Sequence, residues 1–320
     1  MRTCHLHFGM PKTGSTAIQE ALHRHSEATI EYARLSTPNH GLQLITAFAE
    51  DPASFYMLRN RAAKPKEAHD IAATSRAEIT KAIKGRKSVI FSAEAVPDHM
   101  SPDEIAALVA FMKASFDRVS VIMYLRPPAS LVSSQFQERI KSGLGKFLLP
   151  APDYRKRMSP LIEACGRDGI TFVQYSRNSL RDNDVVADFC ARVGVSPATK
   201  DIAAGTADPS NSSLSAEAIA RIFSFNKYVA PHLPIRQRTN VRNALKTRLV
   251  GLGDAPFRLS SGRIERHLKK HAEDIEWASH VSGIDLSAPE TTPENGISSE
   301  SDLLAYLDQP LPPATKETRT

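Results

Sequence analysis

Shortages in this sequence remove whole classes of protein. Three cysteines in 320 residues (Cys4, Cys165 and Cys190) build no disulfide framework, show no zinc-ligand spacing and fit a reducing compartment. No stretch approaches the roughly 20 uninterrupted apolar residues that a membrane span requires, so no transmembrane segment is expected. The N-terminal run Met1-Arg2-Thr3-Cys4-His5-Leu6-His7-Phe8 lacks a long apolar core followed by small residues, and no secretory signal is read there. What is present is ordinary: 41% hydrophobic and 24% charged residues, which exclude a chain disordered throughout and a collagen-like fibre. The expectation is a soluble, cytoplasmic protein with one large domain.

Charge is unevenly spread. The chain carries net +6. Residues 284–320 hold seven acids against Lys316 and Arg319, a net −5 that leaves +11 on the body. Within the body, residues 236–270 hold ten cations against Asp254 and Glu265. A basic body suits anionic ligands. Nucleic acid is not expected, because no zinc finger, homeodomain or aromatic RNA-binding strand motif accompanies the charge. Arg238, Arg242 and Lys246, four apart, would share one helix face and could meet an acidic or carbohydrate acceptor.

Short apolar runs at 4–8, 88–92, 119–125 and 170–175 read as strands. Between and after them lie helices at 15–23, 102–115, 129–142 and 183–193, and residues 60–87 read as one or two surface helices. Strand alternating with helix predicts an α/β fold, three layers deep, with a central parallel sheet. From Ser215 onward the pattern is helical, and Ile264, Leu268, Ile275 and Trp277 suggest the buried stripe of one long helix. Residues 1–283 are expected to form a single domain, with a core at 1–194 and a helical cap region at 215–283. The acidic, proline-bearing residues 284–320 are expected to form a mostly flexible tail.

The strongest feature is Phe8-Gly9-Met10-Pro11-Lys12-Thr13-Gly14-Ser15-Thr16. A strand ending in a glycine-containing turn that opens a helix aims backbone N–H groups and the positive helix end at one point, an anion site. The order is not that of a nucleotide triphosphatase loop, in which lysine and a magnesium-binding hydroxyl follow the second glycine. Here Ser15 and Thr16 follow Gly14, lysine comes earlier as Lys12, and no strand ends in a magnesium-binding aspartate. A phosphate grip without metal is expected, which disfavours ATP-dependent phosphoryl transfer.

The segment Pro11-Lys12-Thr13-Gly14-Ser15-Thr16 resembles the 5′-phosphosulfate-binding loop of sulfotransferases that use 3′-phosphoadenosine 5′-phosphosulfate (PAPS), and the overall pattern is closest to bacterial members. The resemblance implies a P-loop-like sulfotransferase fold over residues 1–194. It also implies an arginine after a later strand and a serine eight residues on, both bound to the 3′-phosphate. Arg126 and Ser134 stand at those positions, with Ser133 adjacent, and Tyr175 occupies the place of a tyrosine that contacts adenine. No match exists to the Arg-Lys-Gly loop of animal cytosolic members; Arg258 or Arg263 is the candidate substitute.

The implied activity is that of a PAPS-dependent sulfotransferase (EC 2.8.2 type). It would act on a hydroxyl or amine of an acceptor, with a carbohydrate or glycoconjugate favoured, and release adenosine 3′,5′-bisphosphate. Glu94 is the expected general base, with His99 and His40 in reserve, and Lys12 would neutralise charge on the bridging oxygen. His5 and His7 alternate on one strand, but no third metal ligand accompanies them. Two other readings are a small-molecule kinase with a degenerate phosphate loop and a non-catalytic nucleotide- or glycan-binding module.

Overall fold

The structure is a computed structural model describing residues 1–23, 27, 29–60, 64–85, 87–196, 214–288, 290 and 292–308. The strands are β1 Thr3–His7, β2 Ile30–Tyr32, β3 Ser88–Ser92, β4 Arg118–Leu125 and β5 Ile170–Gln174. The first helices are α1 Ser15–His23, α2 Gly41–Phe48, α3 Tyr56–Asn60, α4 Pro65–Ala82, α5 Val96–His99 and α6 Pro102–Lys113. Then come α7 Pro128–Ser142, α8 Tyr154–Cys165, α9 Val185–Val193, α10 Ala216–Ser224 and α11 Ile235–Arg248. The last are α12 Ser261–Leu268, α13 Ala272–Ser282 and α14 Glu300–Leu304.

Two compact units divide the described residues. The first comprises 1–127, 153–196 and 274–287, and the second 128–152, 214–273 and 288–308.

The first unit is built on one sheet in the order β2-β3-β1-β4-β5, and every strand pair is parallel. The expected α/β sheet is therefore present, with one strand, β2, that the sequence did not announce. It is three residues long, too short to show a period. On one face α1 and α9 pack together over Ile90, Ile122, Tyr124 and Val173, burying Ile18, Leu22, Val186 and Phe189. On the other face, α2 packs with α4 and α6, and α6 with α8. Two helical layers around a parallel sheet are what right-handed crossovers produce when the chain leaves β1 in one direction and β3 in the other. The layering also explains why Val121 to Leu125 are all buried: a central strand has no solvent face. Helix α6 starts where the sequence signals it, at Ser101-Pro102, with Ser101 and Glu104 forming a reciprocal capping box.

The second unit is helical. Its core gathers Val132, Phe136 and Ile140 of α7, Ile219, Ile222 and Phe223 of α10, Ile264 of α12, and Leu303 of α14. Two expectations change here. The long helix through Ile264 and Trp277 is present as α12 and α13 joined by a 3-10 turn at Lys269–His271, and Ile264 and Ile275 are buried in different units.

The acidic segment is not loose over its described part. Ile297 pairs with Leu259 in a parallel bridge, Leu303 is buried, Ser299 and Asp302 form a capping box, and Glu290 receives N–H bonds from Ala129 (2.5 Å) and Ser130 (2.9 Å) at the start of α7. An acid at a helix N-terminus meets unpaired donors and the positive end of the helix dipole, which the charge count alone could not reveal. Residues 309–320 lie outside the described residues.

Candidate functional site

All four strands with predicted site residues present them at their carboxyl ends, the edge where open parallel sheets bind ligands. The edge lies within the first unit. The β1 ladder runs on past the strand: Phe8 N–H donates to Ile122 O and Met10 N–H to Tyr124 O (3.1 Å), carrying the loop alongside β4. Lys12 then adopts φ +64°, an uncommon conformation for a residue with a side chain, and Gly14 adopts φ +75°. Left-handed residues alternating with right-handed ones turn successive N–H groups toward one side, the geometry of an anion nest. Helix α1 opens directly after it, at Ser15.

Two glycines are sterically required. A Cβ on Gly14 would lie 2.7 Å from Val185 Cγ1 of α9, besides the cost of its left-handed φ. A Cβ on Gly9 would lie 2.5 Å from Thr13 Oγ1, 2.8 Å from Ser15 Oγ and 3.4 Å from His7 Nε2. Three polar atoms thus close over the bare α-carbon of Gly9. Thr13 Oγ1 donates to Met10 O at 2.7 Å, fastening the loop to itself. Ser15 Oγ is buried and has no hydrogen-bond partner among the described residues, whereas Thr16 is exposed. An orphaned hydroxyl under an amide nest is what a bound phosphate oxygen would satisfy, so the loop fits the anionic group that its sequence suggests.

Arg126 follows β4 directly, and Pro127 and Pro128 lead into α7 as expected. Its Nη1 donates to Lys12 O at 2.7 Å, so the two motifs, 114 residues apart, meet. The Tyr175 N–H donates to Leu125 O (2.7 Å), continuing the β4–β5 ladder, and the Arg126 guanidinium lies 6.0 Å from the Tyr175 ring centre. Tyr154, which sequence reasoning did not single out, is fully buried and donates its hydroxyl proton to Arg126 O. Only tertiary packing brings it there. Ser133 and Ser134 stand half-buried on α7, in the second unit, which also holds Arg258, exposed, and Arg263, half-buried on α12; Arg263 lies 5.7 Å from the Phe147 ring centre.

Glu94 follows β3 by two residues and is half-buried. The intervening Ala93 N–H donates to His7 O (2.9 Å), which places Glu94 after the strand that neighbours β1 and its Gly9–Gly14 loop. Tyr56 is its electrostatic neighbour: burial, then the negative charge of Glu94, raises the Tyr56 phenol above its ordinary pKa. The Tyr56 ring, 39% exposed, stacks on His99 with ring centres 4.7 Å apart, and Phe55 packs edge-on against both. His40 is fully buried and its Nδ1 accepts the Ser92 N–H at 3.2 Å; burial lowers its pKa to about 3. Burial does the same to His7, also to about 3.

Two cations of α11 bond within their own unit. Arg242 donates to Asn226 Oδ1 (3.1 Å) and Ser142 O (3.1 Å), and Arg238 to Leu233 O (2.8 Å) and Pro231 O (3.2 Å). Both arginines are thus engaged within their own unit, and Lys246 is half-buried. Among the described residues no three His, Cys, Asp or Glu side chains group as metal ligands would, and no helix is long and apolar enough to cross a membrane.

No protein-family model and no curated protein matches the chain. Solved structures do. A sulfotransferase from Alicyclobacillus acidocaldarius is similar at 13% identity and a TM-score of 0.35, over 74% of this chain and 99% of that one. The sulfotransferase domain from the curacin biosynthetic pathway is similar at 13% identity and a TM-score of 0.38, over 63% of this chain and 77% of that one. At scores this low the likeness carries no argument, and the α/β reading rests on the parallel sheet itself.

Proposed function

We propose that the chain is a sulfotransferase that moves the sulfuryl group of PAPS to a hydroxyl, or an amine, of a carbohydrate-type acceptor. The observation that carries this reading is the union of two motifs: a phosphate loop with lysine before the second glycine, and a strand-end arginine bonded to that lysine's carbonyl. A nucleotide with phosphates at both its 5′ and 3′ positions needs two anion grips side by side. The backbone of Pro11, Lys12, Thr13 and Gly14, with the hydroxyls of Ser15 and Thr16, would hold the 5′-phosphate. Arg126 would take the 3′-phosphate with its fork of donors, and Tyr175 would border the adenine.

The donor supplies the sulfuryl group and leaves as adenosine 3′,5′-bisphosphate. Glu94 takes the acceptor's proton as the new oxygen–sulfur bond forms and the bond to the 5′-phosphate breaks, and Lys12 offsets the charge gathering on the departing oxygen. Glu94 is preferred to its reserves because His40 is already held by the Ser92 amide and His99 is stacked on Tyr56. The exposed Tyr56 ring beside Glu94 supports a carbohydrate acceptor, since an aromatic face packs against the C–H face of a sugar.

Thermal denaturation tests the donor site. Adenosine 3′,5′-bisphosphate at about 100 times its Kd should stabilise the fold by about 2.7 kcal/mol, and Lys12→Ala and Arg126→Ala should each abolish most of that shift. A shift with magnesium-ATP in its place would turn the reading toward a kinase. Binding of the bisphosphate without turnover on any acceptor would leave a binding module.

A further inference from the structure

A buried polar network lies beneath the phosphate loop, and the roles assigned above do not use it. His7, the last residue of β1, is fully buried, with its ring 4.9 Å from Phe189 and 5.7 Å from Tyr124. Its Nδ1 lies 2.8 Å from Ser92 Oγ at the end of β3. Ser92 Oγ also accepts from Gln19 Nε2 of α1 at 3.1 Å, and Ser92 N–H is held by His40. The network therefore ties together the ends of β1 and β3 and the helix that carries Ser15. At its upper end is an atom with nothing to bond: His7 Nε2 has no partner among the described residues. That atom and the equally unpartnered Ser15 Oγ both border the space that a Gly9 Cβ would fill, 3.4 Å and 2.8 Å from it.

The network accommodates one arrangement of the imidazole's protons that suits the loop. Ser92 accepts from Gln19 through one lone pair, and its single proton is available to His7 Nδ1, 2.8 Å away. Nδ1 is then an acceptor, and the neutral ring carries its proton on Nε2, pointing toward the loop. Burial keeps the ring neutral over the physiological range. A phosphate oxygen only accepts, so a serine hydroxyl beside it is useful when its own proton points at the ligand and its lone pair receives a donor from behind. His7 Nε2–H is placed to be that donor.

We propose that His7 is a positioning residue for the donor nucleotide: its Nε2–H orients the Ser15 hydroxyl, after a rotation of Ser15 χ1 or through one water, so that the hydroxyl's proton points at the 5′-phosphate. This rests on the donor-site reading above. Gly9 is then required for a second reason: a methyl group at its α-carbon would crowd both groups.

A double-mutant cycle read by calorimetric titration with adenosine 3′,5′-bisphosphate tests the proposal. Ser15→Ala and His7→Asn should each weaken binding about tenfold, and the double variant should be no weaker than about the worse single one. Asparagine reproduces the Nδ1 position and keeps the Ser92 contact, whereas glutamine reproduces the Nε2 position. His7→Gln should therefore stay within about threefold of the parent. Where His7→Asn does not fold, Ser92→Ala takes its place in the cycle, because removing the Ser92 proton donor frees the imidazole to adopt the other tautomer. Additive losses, near a hundredfold in the double variant, or a His7→Gln as weak as His7→Asn, would overturn the positioning role while leaving the donor site standing. A parent protein that does not bind the bisphosphate overturns both.

Discussion

The edge of the sheet in the first unit and helix α11 in the second are both rich in polar side chains, yet they treat them differently. Along α11, Arg238 and Arg242 are bonded to carbonyl oxygens of Leu233, Pro231 and Ser142 and to the Asn226 amide. At the sheet edge, buried polar atoms of His7, Ser15 and His40 have no partner among the described residues, and they cluster at the ends of β1 and β3 and the start of α1. The second unit has such atoms too, on Gln135, Glu217 and Arg263, but they are spread over three helices. A cation bonded to its own backbone contributes to folding. A cluster of unpaired buried groups around a left-handed loop costs folding energy, and that is characteristic of sites preorganised for a ligand.

The sharpest way to break this contrast is a pair of substitutions. Glu94→Gln in the first unit should lower turnover about 10²–10⁴-fold, the usual range for a general base, with bisphosphate affinity and melting temperature unchanged. Arg242→Ala in the second should do the opposite, lowering stability by about 1–2 kcal/mol through two lost hydrogen bonds from a charged group while bisphosphate affinity stays at the parent value. Denaturant titration and steady-state kinetics on both variants decide the matter. A Glu94→Gln enzyme with full turnover would remove the base assignment.

Acid sensitivity sharpens the same comparison at a smaller scale. His7 and His40 titrate near 3 when folded and near 6.5 when unfolded, both lowered by burial. The unfolded chain therefore binds protons first as pH falls. Stability should be flat above about pH 7, and below pH 6.5 it should fall by up to about 1.4 kcal/mol per pH unit for each histidine. Unfolding free energies measured from pH 7 to 4 should show that slope, and His40→Gln should flatten it. The smallest effect belongs to the second unit: Glu290→Ala removes the carboxylate from the first turn of α7 and should cost about 0.5–2 kcal/mol in thermal denaturation.

Legibility followed the range over which each signal acts. The strands β1, β3, β4 and β5 announce themselves as short apolar runs, because a strand inside a parallel sheet is buried on both faces. The loop from Gly9 to Thr16 is legible because its chemistry is local: glycine, hydroxyl and lysine at fixed offsets before a helix. Tyr154 and His7 are not legible as site residues. Each is an ordinary core side chain in its own segment, and each gains a role only from a partner far along the chain, Arg126 O for one and Ser92 for the other. The acidic segment misled for the same reason. Its prolines and charges read as a loose tail, while Ile297 and Leu303 find a hydrophobic core and Glu290 a helix end.

By itself the sequence determined the alternation of strand and helix, the glycine-containing turn from Gly9 to Gly14 and the strand-end positions of Glu94 and Arg126, all of which depend on contacts within about ten residues. The tertiary structure alone decided that Arg126 closes on the Lys12 carbonyl, that Arg238 and Arg242 of α11 bond within their own unit, and that His7 and Ser15 both border Gly9. Hydrogen bonds and packing between residues a hundred positions apart leave no period or spacing in a sequence. They exist only once the sheet order has brought the strand ends together.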